Sequence, residues 1–201
     1  MHLQFTLAPT ASQKADYFRI RETCFRRDLQ LEGFDGREDR WDGCSNLLIA
    51  LDGSRCIGGV RISGRSAPSD THMPSIPLET HSVPLPELLP DLALDGKSYC
   101  QPTRLAIDPR YRQPEVLNAM TRAMVTGSAA LNYTLCVAVA GMGRSRLYRR
   151  IFHVCGYRYE IFEGVEVPAE PGFSDLPHVL SLGFLAGRSR AQEKTDVRRA
   201  A

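Results

Sequence analysis

The sequence lacks the features that mark most specialised classes of protein. None of its six cysteines forms a Cys-x-x-Cys pair, and their spacings fit no zinc site. No stretch approaches the roughly 20 apolar residues of a membrane-spanning helix, and residues 1–10 have neither the charged start nor the long apolar run of a signal peptide. The net charge of +2 is too small to indicate nucleic-acid binding. We therefore expect a soluble cytoplasmic protein with reduced cysteines, no bound metal, no nucleic-acid partner and no membrane span.

The composition is that of an ordinary globular domain. Hydrophobic residues make up 43% and charged residues 24% of the 201 residues, which argues against disorder. A chain of this length buries a substantial apolar core without disulfide or metal support. Its C-terminal end is polar and basic, with almost nothing to pack. We expect one domain over residues 1–185 and a flexible basic tail over residues 186–201.

Hydrophobic periodicity predicts alternating strands and helices. Thr10 and Gln13 have the spacing of a capping box, ahead of apolar residues at helical period. Amphipathic patterns predict further helices over residues 114–130 and 144–155. The predicted strands are residues 3–7, 47–51, 55–63, 99–107, 135–140 and 157–162. Antiparallel strands followed by a βαβ half predict an α/β (α+β) fold, with helices on the faces of a mixed sheet.

Pro102 interrupts the predicted strand 99–107. Proline has no N–H to donate to a strand ladder, so it belongs at an edge or a bulge. In a regular strand, Gln101 and Arg104 would point to opposite faces. A bulge at Pro102 would shift that alternation by one residue and bring both side chains to one cleft.

Three segments resemble a branch of the GNAT acyltransferase fold. This branch contains the acyl-homoserine-lactone (autoinducer) synthases of quorum sensing and their N-acyl amino acid synthase relatives. The segments are FRIRETCF at residues 18–25, EDRWD at 38–42 followed by GGVR at 58–61, and TRLAIDPRYR at 103–112. They are similar to the branch's Arg-x-x-x-Phe helix, its E-D-x-x-D loop, and the strand and turn before its central helix. The resemblance implies a single GNAT-like N-acyltransferase domain.

The resemblance also implies an acceptor site. A charged cluster would order the N-terminal loop against the sheet, and its members would be Arg21, Asp39, Asp42, Arg61 and Arg104. It would hold an amine-bearing small molecule, with carboxylates on its ammonium group and arginine on its carboxylate. Two nearby carboxylates repel each other unless guanidinium groups lie between them. The implied substrate-binding residues are Arg21, Asp39, Trp41, Asp42 and Arg61. The alternative interpretation is that these are solvated surface charges.

The implied catalytic candidates are Arg104, Gln101 and Tyr148. Gln101 stands where the lactone synthases usually carry Glu, and a carboxamide cannot act as a general base at neutral pH. Leu31 likewise replaces an aromatic residue of that branch. Tyr148 is a candidate to protonate the leaving thiolate, with an ordinary core tyrosine as the alternative. No residue is assigned as the base.

The donor is expected to be acyl carrier protein or acyl-CoA, with no permanently bound cofactor. The segment 112–117 lacks the glycines of the usual pyrophosphate-binding turn and carries Glu115, whose charge opposes phosphate. This favours the carrier protein, although a degenerate CoA site remains open. The expected donor-binding residues are Leu105, Ile107 and Arg112. An acidic carrier would dock on a basic surface, for which the candidates are Arg110, Arg112, Arg144, Arg146, Arg149 and Arg150.

Two other functions remain open at this point. The chain is alternatively a non-catalytic GNAT-fold binding module, which Gln101 and the missing glycines favour, or a small-molecule acetyltransferase that uses acetyl-CoA. For an N-acyltransferase, the acceptor is either an amino acid or S-adenosylmethionine.

Overall fold

The computed structural model describes residues 2–65, 76–94, 96–168, 170, 173 and 178–186. The predicted basic tail lies outside the described residues from residue 187 onward. Residues 66–75 and residue 95 also lie outside the described part of the chain.

The described residues form seven strands and four α-helices. The strands are β1 (Leu3–Thr6), β2 (Asn46–Asp52), β3 (Arg55–Arg65), β4 (Tyr99–Ile107), β5 (Leu135–Ala140), β6 (Arg158–Phe162) and β7 (Val179–Phe184). The helices are α1 (Ala11–Asp28), α2 (Leu85–Leu88), α3 (Pro114–Ala130) and α4 (Met142–Val154). The sheet order is β1-β2-β3-β4-β5-β7-β6. Pairing is parallel between β4 and β5 and antiparallel in the β1-β2-β3 and β5-β7-β6 ladders, so the predicted mixed sheet is confirmed.

Local sequence signals account for several element boundaries. The Thr10 hydroxyl accepts a hydrogen bond from the Gln13 N–H, and the Gln13 side chain accepts one from the Thr10 N–H, which forms the predicted capping box of α1. Gly53 turns the β2–β3 hairpin with φ +61°, and Gly156 follows α4 with φ +82°. Both are left-handed conformations that glycine adopts without a steric penalty.

Strand β7 is not predicted by the sequence pattern. Its four central residues, 180–183, are all buried, so the alternation that identifies a half-exposed strand is missing. Its partners β5 and β6 both precede it in the chain, and β6 follows α4 instead of forming a hairpin with β5. A six-residue segment with four buried residues, after a proline-rich stretch, gives no local signal of that pairing.

The chain divides into two compact units. The first comprises residues 1–63 and 102–127, and the second comprises residues 64–101 and 128–201. In the first unit, Ile57 of β3 packs with Ile107, Val116 and Met120. In the second, Tyr99, Val137 and Leu180 pack with the apolar side chains around α2. None of the described helices combines the length and the apolar character needed to cross a bilayer.

Candidate active site

Arg21 of α1 forms a buried ion pair with Asp42. Two of its guanidinium nitrogens lie 2.9 Å from the two carboxylate oxygens, and both side chains are almost fully buried, at 1% and 0% exposure. Arg21 also donates to the backbone carbonyls of Gly36 and Arg37, at 2.9 and 2.6 Å. One side chain from α1 therefore fixes both ends of the loop at residues 36–42. The guanidinium group lies 4.6 Å above the Phe18 ring, which adds a cation–π contact.

Arg61 of β3 provides the second guanidinium of the cluster. Its Nη1 lies 2.7 Å from both carboxylate oxygens of Asp39 and 3.5 Å from Asp42. Its Nε donates to the Thr103 hydroxyl of β4 at 3.0 Å. Arg61 is fully buried, whereas the Asp39 side chain is 39% exposed. Two arginines and two aspartates thus form a charge-balanced network, and Asp39 is its accessible member.

The two aspartates also organise the loop backbone. Asp39 accepts hydrogen bonds from the N–H groups of Trp41 and Asp42 at 2.7 and 3.1 Å, and Asp42 accepts one from the Asp39 N–H at 2.9 Å. A side chain at Gly36 would lie 2.6 Å from the Phe18 carbonyl oxygen, so glycine permits this close approach to α1. Trp41 itself is partly buried, with the Arg40 guanidinium 5.5 Å from its ring.

Asp39 remains a carboxylate over a wide pH range. Partial burial acts to raise its pKa, but the charge and hydrogen bonds of Arg61 outweigh this effect, and the N–H groups of Trp41 and Asp42 assist. The net pKa of Asp39 lies below its ordinary value. Its chemistry is therefore that of a fixed anion that holds a cation or a polar N–H, and it is a poor proton acceptor.

Strand β4 is irregular in its middle. Arg104 has φ +57°, a left-handed conformation that costs a residue with a side chain about 1–2 kcal/mol. The Tyr17 hydroxyl donates a 2.7 Å hydrogen bond to the Arg104 carbonyl oxygen. Residues 102–105 are partly exposed although both ends of the strand are buried. The middle of β4 therefore combines a left-handed residue with a run of partly exposed residues.

The left-handed residue lies two positions beyond the bulge that we predicted at Pro102. Proline fixes φ near −65°, so a positive φ has to fall on another residue of the strand. The Arg104 guanidinium lies 5.7 and 5.6 Å from the centres of the Phe25 and Phe34 rings, which stack on each other at 4.6 Å.

Gln101 and Tyr148, both in the second unit, are buried. The Gln101 amide oxygen accepts a hydrogen bond from the Leu78 N–H at 2.8 Å, so this oxygen has a structural role. Burial raises the pKa of Tyr148 above its ordinary value, although the nearby Arg144 charge opposes the shift. The phenol stays protonated at neutral pH, as a proton donor must. The catalytic roles of Gln101 and Tyr148, and their convergence with Arg104, stay predictions.

The expected donor-binding residues have different environments. Leu105 is partly exposed, whereas Ile107 is buried in the core of the first unit. Arg112 forms an ion pair with Asp28 and hydrogen-bonds the Ile107 carbonyl and the Cys24 thiol, each at 3.0 Å. These contacts tie its side chain to α1 and to the end of β4, and its role in donor binding stays a prediction.

The start of α3 offers little to a pyrophosphate group. Pro114 is its first residue, and Glu115 lies in its first turn. Proline contributes no N–H, and a carboxylate at a helix N-terminus occupies the position where the dipole would attract an anion.

Helix α4 carries a strongly basic surface. Its sequence, MGRSRLYRRIFHV, contains four arginines and no acidic residue. One concave surface is lined by Arg146, Arg149, Arg150, His153, Tyr157, Arg158 and Tyr159. Within the described residues, the only ion pair on this surface joins Arg158 to Glu160. This surface is suited to an acidic partner.

Comparisons with known proteins identify the family. Residues 16–169 match the model described as N-acyl amino acid synthase FeeM. The chain belongs to the FeeM family of N-acyl amino acid synthases. No curated protein sequence matches the chain.

Solved structures agree with this family. FeeM from uncultured soil microbes is 11% identical, with a TM-score of 0.59 over 96% of this chain and 98% of that one. BjaI, a CoA-dependent acyl-homoserine lactone synthase solved with SAM and isopentyl-CoA, is 18% identical, with a TM-score of 0.59 over 94% and 82%. A GNAT-family acetyltransferase from Streptococcus agalactiae is 12% identical, with a TM-score of 0.54 over 92% and 96%. The resemblance and the GNAT-like fold inferred from the sequence are therefore confirmed.

Membership of the FeeM family makes this protein an acyltransferase, and it supports N-acyl transfer to an amino acid or an amino-acid-derived acceptor. Within the described residues, no group of three or more His, Cys, Asp or Glu side chains is arranged to hold a metal ion.

Sequence reasoning missed two residues next to the charged cluster. Thr103 belongs to the strand motif, and its hydroxyl also accepts a hydrogen bond from the Arg61 Nε–H. Tyr17 was not singled out because an aromatic residue on the inner face of a helix usually serves only packing. A buried tyrosine needs a partner for its hydroxyl, and that requirement is the signal that could have identified it.

Proposed function

We propose that this FeeM-family protein moves a fatty acyl group from an acyl carrier protein to the α-amine of an amino acid. The acceptor nitrogen attacks the thioester carbonyl carbon, a C–N bond forms, the C–S bond breaks, and the carrier thiol leaves with a proton. The observation that carries the proposal is the Asp39 carboxylate, the one accessible group of an otherwise buried ionic network in a family of N-acyl amino acid synthases.

Asp39 holds the acceptor amine. Arg61 and two backbone N–H groups fix the carboxylate and keep it ionised, so it attracts the ammonium group of a free amino acid. Because its pKa is lowered, it does not remove the ammonium proton itself. That proton passes through water to bulk solvent before attack.

The backbone of β4 polarises the thioester. The N–H of Leu105 follows the left-handed residue Arg104 in the partly exposed stretch of the strand. A fixed backbone N–H that points at the carbonyl oxygen stabilises the charge that develops as the amine attacks. Loss of such a donor typically costs about 10²–10³-fold in kcat.

The donor is a carrier protein instead of CoA. Pro114 and Glu115 at the start of α3 oppose pyrophosphate binding. The basic surface of α4 complements an acidic carrier, which presents its thioester on a pantetheine arm without the adenosine diphosphate of CoA.

The test is a reconstituted transfer assay. The purified protein is incubated with acyl carrier protein charged with acyl groups of several lengths, together with single amino acids or S-adenosylmethionine. Released thiol is quantified and products are read by mass spectrometry. We expect an N-acyl amino acid and one equivalent of free thiol. Methylthioadenosine would instead identify the lactone route, and turnover only with acetyl-CoA would identify a small-molecule acetyltransferase.

The matched control is a pair of aspartate variants in one loop. Asp39→Asn removes the accessible charge, whereas Asp35→Asn removes an exposed charge that pairs only with Arg37. We expect the first variant to lose most of its transfer activity and the second to keep it. Equal activities would refute the role of Asp39.

The donor assignment has its own test. Arg149→Glu combined with Arg150→Glu reverses two charges on the α4 surface. We expect the KM for acyl carrier protein to rise at least tenfold while any KM for acyl-CoA stays unchanged. An unchanged KM for the carrier would contradict docking on this surface.

A further inference from the structure

Tyr17 is buried at the contact between α1 and β4. Its side chain is fully inaccessible to solvent, and its hydroxyl donates a 2.7 Å hydrogen bond to the Arg104 carbonyl oxygen. Burial raises the pKa of this phenol, despite the opposing charges of Arg21 and Arg61, so it remains a donor at every physiological pH. Neither the sequence motifs nor the charged cluster gives this residue a role.

The bonded carbonyl belongs to the one left-handed residue of β4. With φ +57° at Arg104, the peptide that follows is rotated away from the orientation of an extended strand. A partly buried carbonyl that leaves the ladder needs another partner. The Tyr17 hydroxyl supplies it, and this bond offsets part of the cost of the left-handed backbone.

The same peptide contains the N–H assigned to the thioester. The Arg104 carbonyl and the Leu105 N–H form one rigid plane and point in opposite directions. A hydrogen bond that fixes the carbonyl therefore fixes the N–H, and it also polarises that N–H to become a stronger donor.

Gly59 of β3 makes room for the tyrosine ring. A Cβ at this position would lie 2.7 Å from Tyr17 Cδ2 and 2.9 Å from Ile49 Cδ1. A glycine in the interior of a strand has a conformational cost, and here it permits the close approach of the ring. The placement of Tyr17 thus depends on two elements of the sheet as well as on its own helix.

We infer that Tyr17 is a positioning residue, which orients the Arg104–Leu105 peptide so that the Leu105 N–H faces the reacting carbonyl. This inference rests on the proposed acyl transfer for its catalytic consequence. The orientation of the peptide itself does not depend on that reaction and can be measured separately.

Nuclear magnetic resonance reports on this peptide group without depending on the reaction. The sequence contains two Arg-Leu pairs, Arg104–Leu105 and Arg146–Leu147. Protein labelled with 13C at the arginine carbonyls and with 15N at the leucine amides therefore gives two carbonyl–amide signals, one from each pair. We expect Tyr17→Phe to move the Arg104–Leu105 signal and to leave the signal from α4 in place. If both signals stay where they are, the inference is wrong, whether or not the protein is active.

Kinetics measure the consequence. We expect Tyr17→Phe to lower kcat about 10- to 100-fold. A Leu105 N–H that no longer points at the thioester carbonyl provides less stabilisation of the charge that develops in the transition state. The KM for the acceptor should change less than twofold, because Asp39 is untouched. Gly59→Ala, which displaces the ring, should reproduce part of the loss of kcat with the same unchanged KM.

The matched control is Tyr99→Phe. Tyr99 is also a buried tyrosine, and its hydroxyl donates to Glu79 at 2.9 Å. The Tyr99→Phe variant therefore also loses one tyrosine hydrogen bond, but not the bond to the Arg104 carbonyl oxygen. Melting temperatures establish that each variant is folded at the assay temperature. If folded Tyr17→Phe has the same kcat as the wild type, the inference is overturned. If the wild-type protein itself is inactive, the proposed function is refuted, and the resonance experiment alone decides the role of Tyr17.

Discussion

The buried pair Arg21–Asp42 gives the most quantitative prediction. Asp42→Asn keeps the size of the side chain but leaves the Arg21 charge without its bidentate partner, in a site where both side chains are 1% exposed or less. Removal of one partner of a buried ion pair typically costs about 3–5 kcal/mol. For a domain of this size, each kcal/mol lowers the melting temperature by about 2–4 °C. We therefore expect a decrease of about 6–20 °C.

Two assays at pH 7 test this: thermal unfolding gives the melting temperature, and urea unfolding gives the free energy of unfolding. Both are followed by far-ultraviolet circular dichroism and by fluorescence. Trp41, the chain's single tryptophan, adjoins the mutated residue, so its fluorescence reports on the loop while dichroism reports on the whole fold. Asp35→Asn is the control, since it breaks an exposed arginine pair in the same loop, and we expect almost no change in its midpoint.

A double variant separates loss of the pair from loss of packing. Arg21→Met with Asp42→Leu replaces both charges by apolar groups, and we expect it to be more stable than the sum of the single losses implies. An exposed ion pair contributes at most about 1 kcal/mol to stability. If Asp42→Asn lowers the free energy of unfolding by less than this, the buried Arg21–Asp42 pair does not hold the loop.

Three further outcomes are expected. Asp39→Asn should raise the KM for the acceptor about tenfold or more, because the variant loses a hydrogen bond between charged groups. An unchanged KM in steady-state assays would contradict this. The pKa of Asp39 is lowered by Arg61. The stability that its ionised form contributes is therefore present above about pH 4, and it is lost as the pH falls through the lower pKa of the folded state. The difference in urea midpoint between wild type and Asp39→Asn should vanish in that acid range. Gly183→Ala places a Cβ 1.9 Å from a ring carbon of the buried Phe152 and should destabilise the fold by about 1–3 kcal/mol, whereas Gly164→Ala, which meets nothing within 4 Å, should be neutral in the same unfolding assay.

Much of the fold follows from local signals in the sequence. The bounds of β4, α3 and β5 agree with the hydrophobic pattern to the residue, because turn and loop residues flank each of the three segments. β7 was missed because burial of its central residues removes the alternation. The pairing that places it between β5 and β6 is a long-range contact, which no local pattern encodes.

The site was accessible to sequence reasoning only in part. Of the predicted charged cluster, the structure brings the side chains of Arg21, Asp39, Asp42 and Arg61 together. The guanidinium group of the fifth member, Arg104, lies beside the rings of Phe25 and Phe34. Their roles toward a substrate stay predictions. Residue spacing could not reveal that the left-handed residue is Arg104, because that conformation depends on a hydrogen bond from another element.

The most direct test of the proposed acyl transfer is the mass spectrum of a reaction that contains the purified protein, an acylated carrier protein and a free amino acid. We expect an N-acyl amino acid formed in step with free thiol, and loss of most of this product in Asp39→Asn. If the thioester remains intact with every amine offered while the protein is folded, the assignment of acyl transfer to this site is contradicted.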